Sequence, residues 1–168
     1  MRHVVLDAVI FSTDAGTVFE NVVQFKRYPE LSPHVESTQV HQTRPEPTGS
    51  SSWVLLFRSG LLQWSENERF LADQLRIEFE QTDGDFDTFG GFWTLQQDGE
   101  DCVLHFECDF DFGIQSLEGI LDPIAERVIK ETVAWAVVGL HDKVRLADDL
   151  ELTPVPSGAA SGAGPANT

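Results

Sequence analysis

Residues 61–70 form a segment in which an alternating apolar pattern gives way to side chains that can do chemistry. Alternate residues of a β-strand point to the same side of the sheet. The more apolar of the two sets contains Leu62 and Trp64, and it also contains Glu66 and Glu68. Burial raises the pKa of a carboxyl group, which can then act as a general base or a general acid near neutral pH. Glu66 and Glu68 are therefore candidate catalytic residues.

The same segment has a second register. A β-bulge after Trp64 would turn both glutamates outward and bring Ser65, Asn67 and Arg69 to the inner face. In that register Ser65 and Arg69 are the catalytic candidates, because an arginine stabilises a ketone oxygen as its enolate forms. The sequence leaves the two registers open, and the one that lines a cavity decides the chemistry.

The chain that positions these residues begins with a β-rich segment and a short helix. Residues 4–11 have the composition of a strand, and residues 12–14 form an N-cap cluster. Apolar residues then recur at helical spacing from Val18 to Val23, which predicts a short helix. Pro29 and Pro33 restrict residues 26–34 to a turn or a very short second helix.

The rest of the chain predicts a sheet meander followed by one long helix. Six segments have the alternation and turn residues of antiparallel strands: 35–43, 52–58, 61–70, 74–81, 88–97 and 102–112. After Gly113 the apolar residues recur every three or four positions, which predicts a helix over 116–146 with Pro123 inside it.

A single long helix must bury its apolar stripe against the sheet, and the sheet must curve to receive it. We therefore predict an α+β helix-grip fold. In this fold a curved antiparallel seven-stranded sheet surrounds the long C-terminal helix, two short helices follow the first strand, and an apolar cavity opens between sheet and helix. Residues 1–152 form this domain, and residues 153–168, rich in Pro, Gly, Ala and Ser, are predicted to be a disordered tail.

Composition limits the classes of partner. The chain has 28 acidic and 11 basic residues, a formal net charge of −17, which disfavours nucleic acid and anionic membranes. No residues have the spacing of a metal site and no cofactor motif occurs, so we expect neither a metal nor a cofactor. Cys102 and Cys108 are expected to be free thiols in a cytoplasmic protein. His34 is expected to be an exposed loop residue.

Four short motifs occur in an order and at a spacing that indicate a resemblance to known proteins. They are the turn Tyr28-Pro29-Glu30-Leu31, Trp64 in a mid-sheet strand, Phe92-Trp93 on the sixth strand, and Asp109-Phe110-Asp111-Phe112 ahead of the final helix. Together they resemble the START/Bet v 1-like superfamily, and within it the polyketide cyclase (aromatase/cyclase) and coenzyme-Q-binding group. The resemblance covers about residues 4–144 and implies the same helix-grip fold.

The resemblance implies two alternative functions. Cyclases of the family hold a poly-β-ketone, delivered by an acyl carrier protein, and promote aldol cyclisation and dehydration. Coenzyme-Q-binding relatives bind a quinone or lipid without known chemistry. The enzyme is the leading hypothesis and a non-catalytic carrier is the alternative, in either case as a monomer or homodimer. The chain departs from the family's Trp-x-Ser-x-Arg pattern in either of two alignments. With Trp64 as the anchor, Glu66 and Glu68 replace the Ser and the Arg. With Arg69 as the anchor, Asn67 replaces the Ser and the Trp is displaced by one position.

The remaining site candidates are aromatic. Tyr28 is expected at the cavity mouth, where its hydroxyl would bond a substrate or a backbone carbonyl, and it completes the catalytic candidates. The expected substrate-binding walls are Trp53, Phe57, Trp64, Phe79, Trp93, Phe106, Phe110 and Trp135.

Overall fold

A computed structural model describes residues 1–152 of the chain. Three α-helices are present in this part of the chain: α1 (Ala15–Val22), α2 (Tyr28–Leu31) and α3 (Glu118–Leu140). The Asp14 side chain caps α1 by accepting a hydrogen bond from the Thr17 backbone N–H at 2.8 Å. This is the cap expected from the sequence, and the very short second helix is also confirmed.

Eight strands form one antiparallel sheet. They are β1 (Arg2–Ile10), β2 (Val35–Gln42), β3 (Thr48–Phe57), β4 (Gly60–Leu71), β5 (Arg76–Gly84), β6 (Thr88–Asp98), β7 (Asp101–Asp111) and β8 (Val144–Leu146). Their order across the sheet is β2-β3-β4-β5-β6-β7-β1-β8. Consecutive strands from β2 to β7 are neighbours, so short turns fix their register.

The long helix ends earlier than predicted, and the sheet has one strand more. Helix α3 stops at Leu140 because His141 adopts an extended backbone conformation. Val144 and Leu146 then pair with Ile10 and Ala8 as part of β8. The prediction of one helix to residue 146 was wrong here, because two apolar residues at alternate positions suit a strand as well as they continue a helical stripe.

Helix α3 packs its small and branched residues against the concave face of the sheet. Its fully buried side chains include Ala125, Ala134, Ala136 and Val137. The helix-grip fold predicted from the sequence is thereby confirmed, with the sheet on one side of the core and α3 on the other. The predicted tail, residues 153–168, lies outside the described residues. Within residues 1–152, no helix combines the length and apolarity needed to cross a bilayer.

Candidate functional site

Strand β4 keeps a strict alternation through its polar segment. Trp64, Glu66, Glu68 and Phe70 are buried on the concave face, and the two glutamates are only 5% and 1% exposed. The register with β5 does shift between Ser65 and Glu66, but the extra residue lies in β5. A bulge in the partner strand leaves the parity of β4 intact, so the structure has the first of the two predicted registers.

The two glutamates belong to a buried network of hydrogen bonds. The Trp64 indole N–H donates to Glu66 Oε1 at 2.7 Å, and the Ser51 hydroxyl donates to Glu68 Oε2 at 2.5 Å. The Trp53 indole N–H donates to Ser51 Oγ at 2.9 Å and so fixes that hydroxyl. Glu68 Oε1 is buried and has no hydrogen-bond partner among the described residues, so it can accept a hydrogen bond from a protonated Glu66.

The environment of this pair favours one shared proton. Burial raises the pKa of Glu66 well above its usual range, and the hydrogen bond to Glu68 and the charge of Glu68 raise it further. Burial also raises the pKa of Glu68, while its hydrogen bonds to Glu66 and Ser51 oppose that rise. Two adjacent carboxylates cannot both ionise cheaply. The pKa of Glu66 is therefore raised further than that of Glu68, and Glu66 is the member of the pair that more readily holds a proton. We call Glu66 and Glu68 the carboxyl pair.

The carboxyl pair adjoins a cavity between the sheet and α3. The cavity has a volume of about 50 Å³, and every residue that lines it is less than a tenth exposed. Two indole rings, those of Trp53 and Trp64, stack with centroids 5.9 Å apart and an angle of 4° between them. The lining residues are Phe25, Tyr28, Trp53, Leu55, Trp64, Glu66, Phe79, Phe89, Trp93, Phe106, Ile129, Thr132 and Val133.

Three lining residues have a side-chain oxygen, and Glu66 is the one whose side chain forms no hydrogen bond with the backbone. The Tyr28 hydroxyl donates to the Val22 carbonyl at 2.6 Å, and the Thr132 hydroxyl donates to the Val128 carbonyl at 2.7 Å. Burial raises the pKa of Tyr28 above its usual value, so this phenol stays neutral. Of the two predicted roles of the Tyr28 hydroxyl, the structure shows the bond to a backbone carbonyl.

Two catalytic candidates lie on the opposite face of the sheet. The Ser65 hydroxyl bonds to Ser52 Oγ at 2.7 Å, and the Arg69 guanidinium donates to Glu78 at 2.9 Å. The Arg69 side chain is 65% exposed. Both residues have the odd parity of β4 and point away from the cavity, so the second register, which would have brought them inward, is wrong.

The aromatic candidates also fall into two groups, those that line the cavity and those that do not. Trp53, Trp64, Phe79, Trp93 and Phe106 line the cavity as expected. The other three candidates, Phe57, Phe110 and Trp135, do not line it.

Their neighbours explain the difference. The Phe57 and Phe110 rings both pack against Phe112, with centroids 6.2 and 5.6 Å away. Trp135 is half-buried on α3 and, unlike Thr132 and Val133, is not a lining residue. Expecting them in the lining was wrong, because a core aromatic and a cavity aromatic have the same sequence pattern.

Sequence reasoning missed Ser51 and Gly49. Strand β3 begins at Thr48, four residues before the predicted start, so Ser51 has the inward parity of Trp53. A Cβ atom on Gly49 would lie 2.7 Å from Glu68 Oε1 and from the Phe70 ring. The alternation of residues 49, 51 and 53 could have predicted that they share the inner face of one strand. The three serines at 50–52 are typical of a loop and hid this pattern.

A second buried carboxylate lies on α3. Glu131 is 4% exposed and His34 is 7% exposed, and the His34 Nε2 atom lies 2.8 Å from Glu131 Oε1. Arg127 donates to the other carboxylate oxygen at 3.2 Å. His34 is therefore buried, and the expectation of an exposed loop histidine was wrong because α3 covers this loop. Within residues 1–152, no group of three or more His, Cys, Asp or Glu is arranged to hold a metal ion.

Solved structures with the same fold come from several bacteria. TTHA0849 from Thermus thermophilus superposes with a TM-score of 0.72 at 22% identity, over 83% of this chain and 94% of that one. The ZhuI aromatase/cyclase from Streptomyces sp. R1128 gives 0.70 at 15% identity, over 83% and 93%. A START superfamily protein from Mycobacterium smegmatis gives 0.62 at 14% identity, over 82% and 93%. At these identities the likeness shows a shared fold.

A search of curated protein sequences finds no match. The model of one protein family, described as polyketide cyclase / dehydrase and lipid transport, matches residues 12–136. That match spans most of the chain, from the start of the first helix to the cavity-lining part of α3, and it agrees with the resemblance in the sequence. The chain therefore belongs to the polyketide cyclase / dehydrase and lipid transport family.

Proposed function

We propose that the protein binds a poly-β-ketone or a partly cyclised intermediate in its cavity and promotes aldol cyclisation and dehydration. The observation that carries this proposal is the carboxyl pair, in which a buried Glu66 lines an aromatic cavity and adjoins a second buried glutamate, Glu68. Membership of the family supports the substrate class. A perturbed carboxyl in an apolar cavity is typical of acid–base catalysis.

Because its proton can move to Glu68, Glu66 can act first as a general base and then as a general acid. When the proton lies on Glu68, the Glu66 carboxylate takes a proton from the methylene between two ketones, and the C–H electrons form an enolate. The enolate carbon then bonds to a second ketone carbon, and the new alkoxide takes the proton back from Glu66. Dehydration repeats the cycle: Glu66 removes an α-proton and returns it to the hydroxyl, which leaves as water.

In this proposal Glu66, at the position of the family's Ser, does the work for which the resemblance led us to expect an arginine. Arg69 lies on the outer face, bonded to Glu78, so it takes no part in the proposed reaction. Once Glu66 has taken the proton from the methylene, it donates a hydrogen bond to the enolate oxygen. The aromatic walls exclude water, which strengthens this bond and protects the enolate.

The test is the Glu66→Gln variant, because the amide keeps the shape and the acceptor for Trp64 but cannot carry a proton between substrate atoms. The protein is supplied with a poly-β-ketone made in situ by a polyketide synthase, and the products are followed by mass spectrometry. We expect the rate of cyclised product formation to fall about 10²- to 10⁴-fold, the usual contribution of a general acid–base.

The matched control is Glu80→Gln, the same change on an exposed residue of β5, which should leave the rate unchanged. Wild-type rates and products from Glu66→Gln would overturn the proposal.

A specific observation favours the alternative, a non-catalytic carrier of a quinone, lipid or polyketide. Apart from Glu66, the side-chain oxygens of the lining are engaged with the backbone, so most of the wall can only pack against a ligand. A carrier would bind its ligand equally well in Glu66→Gln and leave the product spectrum unchanged. Delivery by an acyl carrier protein, the oligomeric state and a cytoplasmic location stay predictions.

A further inference from the structure

We propose that Ser51 is a positioning residue of the carboxyl pair: its hydroxyl, held by the Trp53 indole, keeps the negative charge on Glu68 and the proton on Glu66. This inference rests on the proposed function, because it assigns the resting position of the proton that Glu66 uses there. Ser51 lies on β3 and is not a lining residue of the cavity, so it acts through Glu68 rather than on the ligand.

The hydrogen-bond chain that ends at Glu68 has a fixed direction. An indole N–H can only donate, so Trp53 donates to Ser51 Oγ at 2.9 Å. The hydrogen of the Ser51 hydroxyl is then directed to Glu68 Oε2, 2.5 Å away. Ser51 is fully buried, so its hydroxyl has no contact with bulk solvent. A donor fixed in this way stabilises a carboxylate more strongly than it stabilises a neutral carboxyl group.

Each glutamate of the carboxyl pair receives one such donor. The Trp64 indole donates to Glu66 at 2.7 Å, and the Ser51 hydroxyl donates to Glu68. Burial raises the pKa of both glutamates, and each of these hydrogen bonds opposes that rise in its own carboxyl group. The two donors therefore compete for the charge of the pair. Since Trp53 polarises the Ser51 hydroxyl, we expect the charge to lie on Glu68.

Ser51 also determines which oxygen of Glu68 can take a proton. A proton on Oε2 would leave the Ser51 hydroxyl without an acceptor, and a buried donor without a partner is costly. Oε1 is buried and has no hydrogen-bond partner among the described residues, so it receives the proton when Glu66 acts as a base. Because Ser51 favours the carboxylate of Glu68, the proton then returns to Glu66, which can protonate the alkoxide.

The titratable groups near the carboxyl pair on other elements include Tyr28 of α2, Cys108 of β7 and His41 of β2. Burial raises the pKa of Tyr28 and of Cys108, so both stay neutral at pH 7. The charge of His41, which is exposed, also favours the carboxylate of Glu68. His41 bonds to Ser52 Oγ at 3.0 Å, so a change at Ser52 tests its contribution separately. The remaining residues that line the cavity have no titratable group.

The test locates the proton by carbon-13 NMR of the carboxyl carbons at pH 7, with Glu66→Gln and Glu68→Gln used for assignment. The quantity measured is the ratio of the form protonated on Glu66 to the form protonated on Glu68. Ser51→Ala should lower this ratio about 10-fold, because Glu68 loses its donor. Trp64→Phe removes the donor of Glu66 and should raise the ratio about 10-fold. Trp53→Phe keeps the Ser51 hydroxyl without its donor and should lower the ratio about 2-fold.

The matched control is Ser52→Ala, the same change at the next residue of β3, which should leave the ratio unchanged. Thermal melts confirm that each variant folds. If Ser51→Ala does not fold, the opposite shifts expected for Trp53→Phe and Trp64→Phe still test the inference. An unchanged ratio in Ser51→Ala, or shifts in the same direction when the serine and Trp64 are replaced, would overturn it.

The position of the proton is measured without catalysis. The expected shifts, together with a Glu66→Gln variant that still forms cyclised products at the normal rate, would contradict the proposed function and leave this inference standing. Loss of product formation in Glu66→Gln, with an unchanged ratio in Ser51→Ala, would instead support the proposed function and overturn this inference.

Discussion

Two regions of the protein bury glutamate side chains, and the partners that surround the carboxyl groups differ between them. On α3, Glu131 has a histidine and an arginine on its two oxygens, at 2.8 and 3.2 Å. On β4, Glu66 and Glu68 receive indole and hydroxyl donors, and neither forms a salt bridge within residues 1–152. The charge of Glu131 is compensated, whereas the charge of the carboxyl pair is reduced by keeping a proton.

This difference separates a structural carboxylate from a chemical one. A fully compensated buried charge holds elements together, here α3 and the loop before β2. A carboxyl pair without a cationic partner has a proton that can move. Burying such a pair lowers the free energy of unfolding, and a cost of this kind is typical of functional sites. Burial alone would not have distinguished the two sites, because all three glutamates are at most 5% exposed.

The largest effect on stability is expected at the compensated site. His34→Ala removes the buried hydrogen-bond partner of one Glu131 oxygen and leaves Glu131 with Arg127, whose side chain is 60% exposed. We expect a loss of about 3 kcal/mol in the free energy of unfolding, measured by urea denaturation at pH 7. His41→Ala, at an exposed histidine, should cost less than about 0.5 kcal/mol. Equal losses in both variants would show that the His34–Glu131 contact is not structural.

An intermediate effect is expected where the backbone makes room for Glu68. Gly49→Ala would place a Cβ atom 2.7 Å from Glu68 Oε1 and from the Phe70 ring, so we expect a loss of about 2 kcal/mol. Gly60→Ala in the β3–β4 turn is the matched control, because its Cβ atom would have no neighbour closer than 3.9 Å. Similar stabilities of the two variants would mean that Glu68 is not held tightly against β3.

The smallest effect is a difference in the pH dependence of stability. The pKa of Glu66 is raised in the folded protein, so the folded state keeps a proton that the unfolded chain loses. Stability from this group is complete below the ordinary glutamate pKa and is lost as the pH rises toward the raised pKa. Between pH 5 and pH 8 the wild type should therefore lose more stability than Glu66→Gln does. Parallel curves for the two proteins, as expected for Glu80→Gln, would contradict a shared proton.

The sequence predicted the elements better than the contacts. The alternation in β4 placed Glu66 and Glu68 beside Trp64, because the pleat of a strand is a local property. It could not exclude the other register, which depends on whether the bulge lies in β4 or in its partner β5. The extra strand β8 was missed because its pairing with β1 joins residues that are more than 130 positions apart.

The partners of the site were harder still to predict. Ser51, His34 and Gly49 act through neighbours that lie 17 positions or more away in the chain. Their roles depend on which strands and helices pack together, and one sequence does not contain that information. Trp135 is an error of the opposite kind, a residue that was predicted to line the cavity and does not. A large aromatic residue on the core helix need not face the cavity.

The measurement that tests the central claim most directly is a carbon-13 NMR titration of the glutamate side-chain carboxyl carbons, with Glu66→Gln used to assign the Glu66 signal. We predict that Glu66 stays protonated at pH 7 and titrates far above Glu78, whose pKa the hydrogen bond from Arg76 holds below its usual value. A Glu66 signal that titrates near the ordinary value of 4.5, together with the exposed glutamates, would contradict the shared proton and the acid–base chemistry proposed for it.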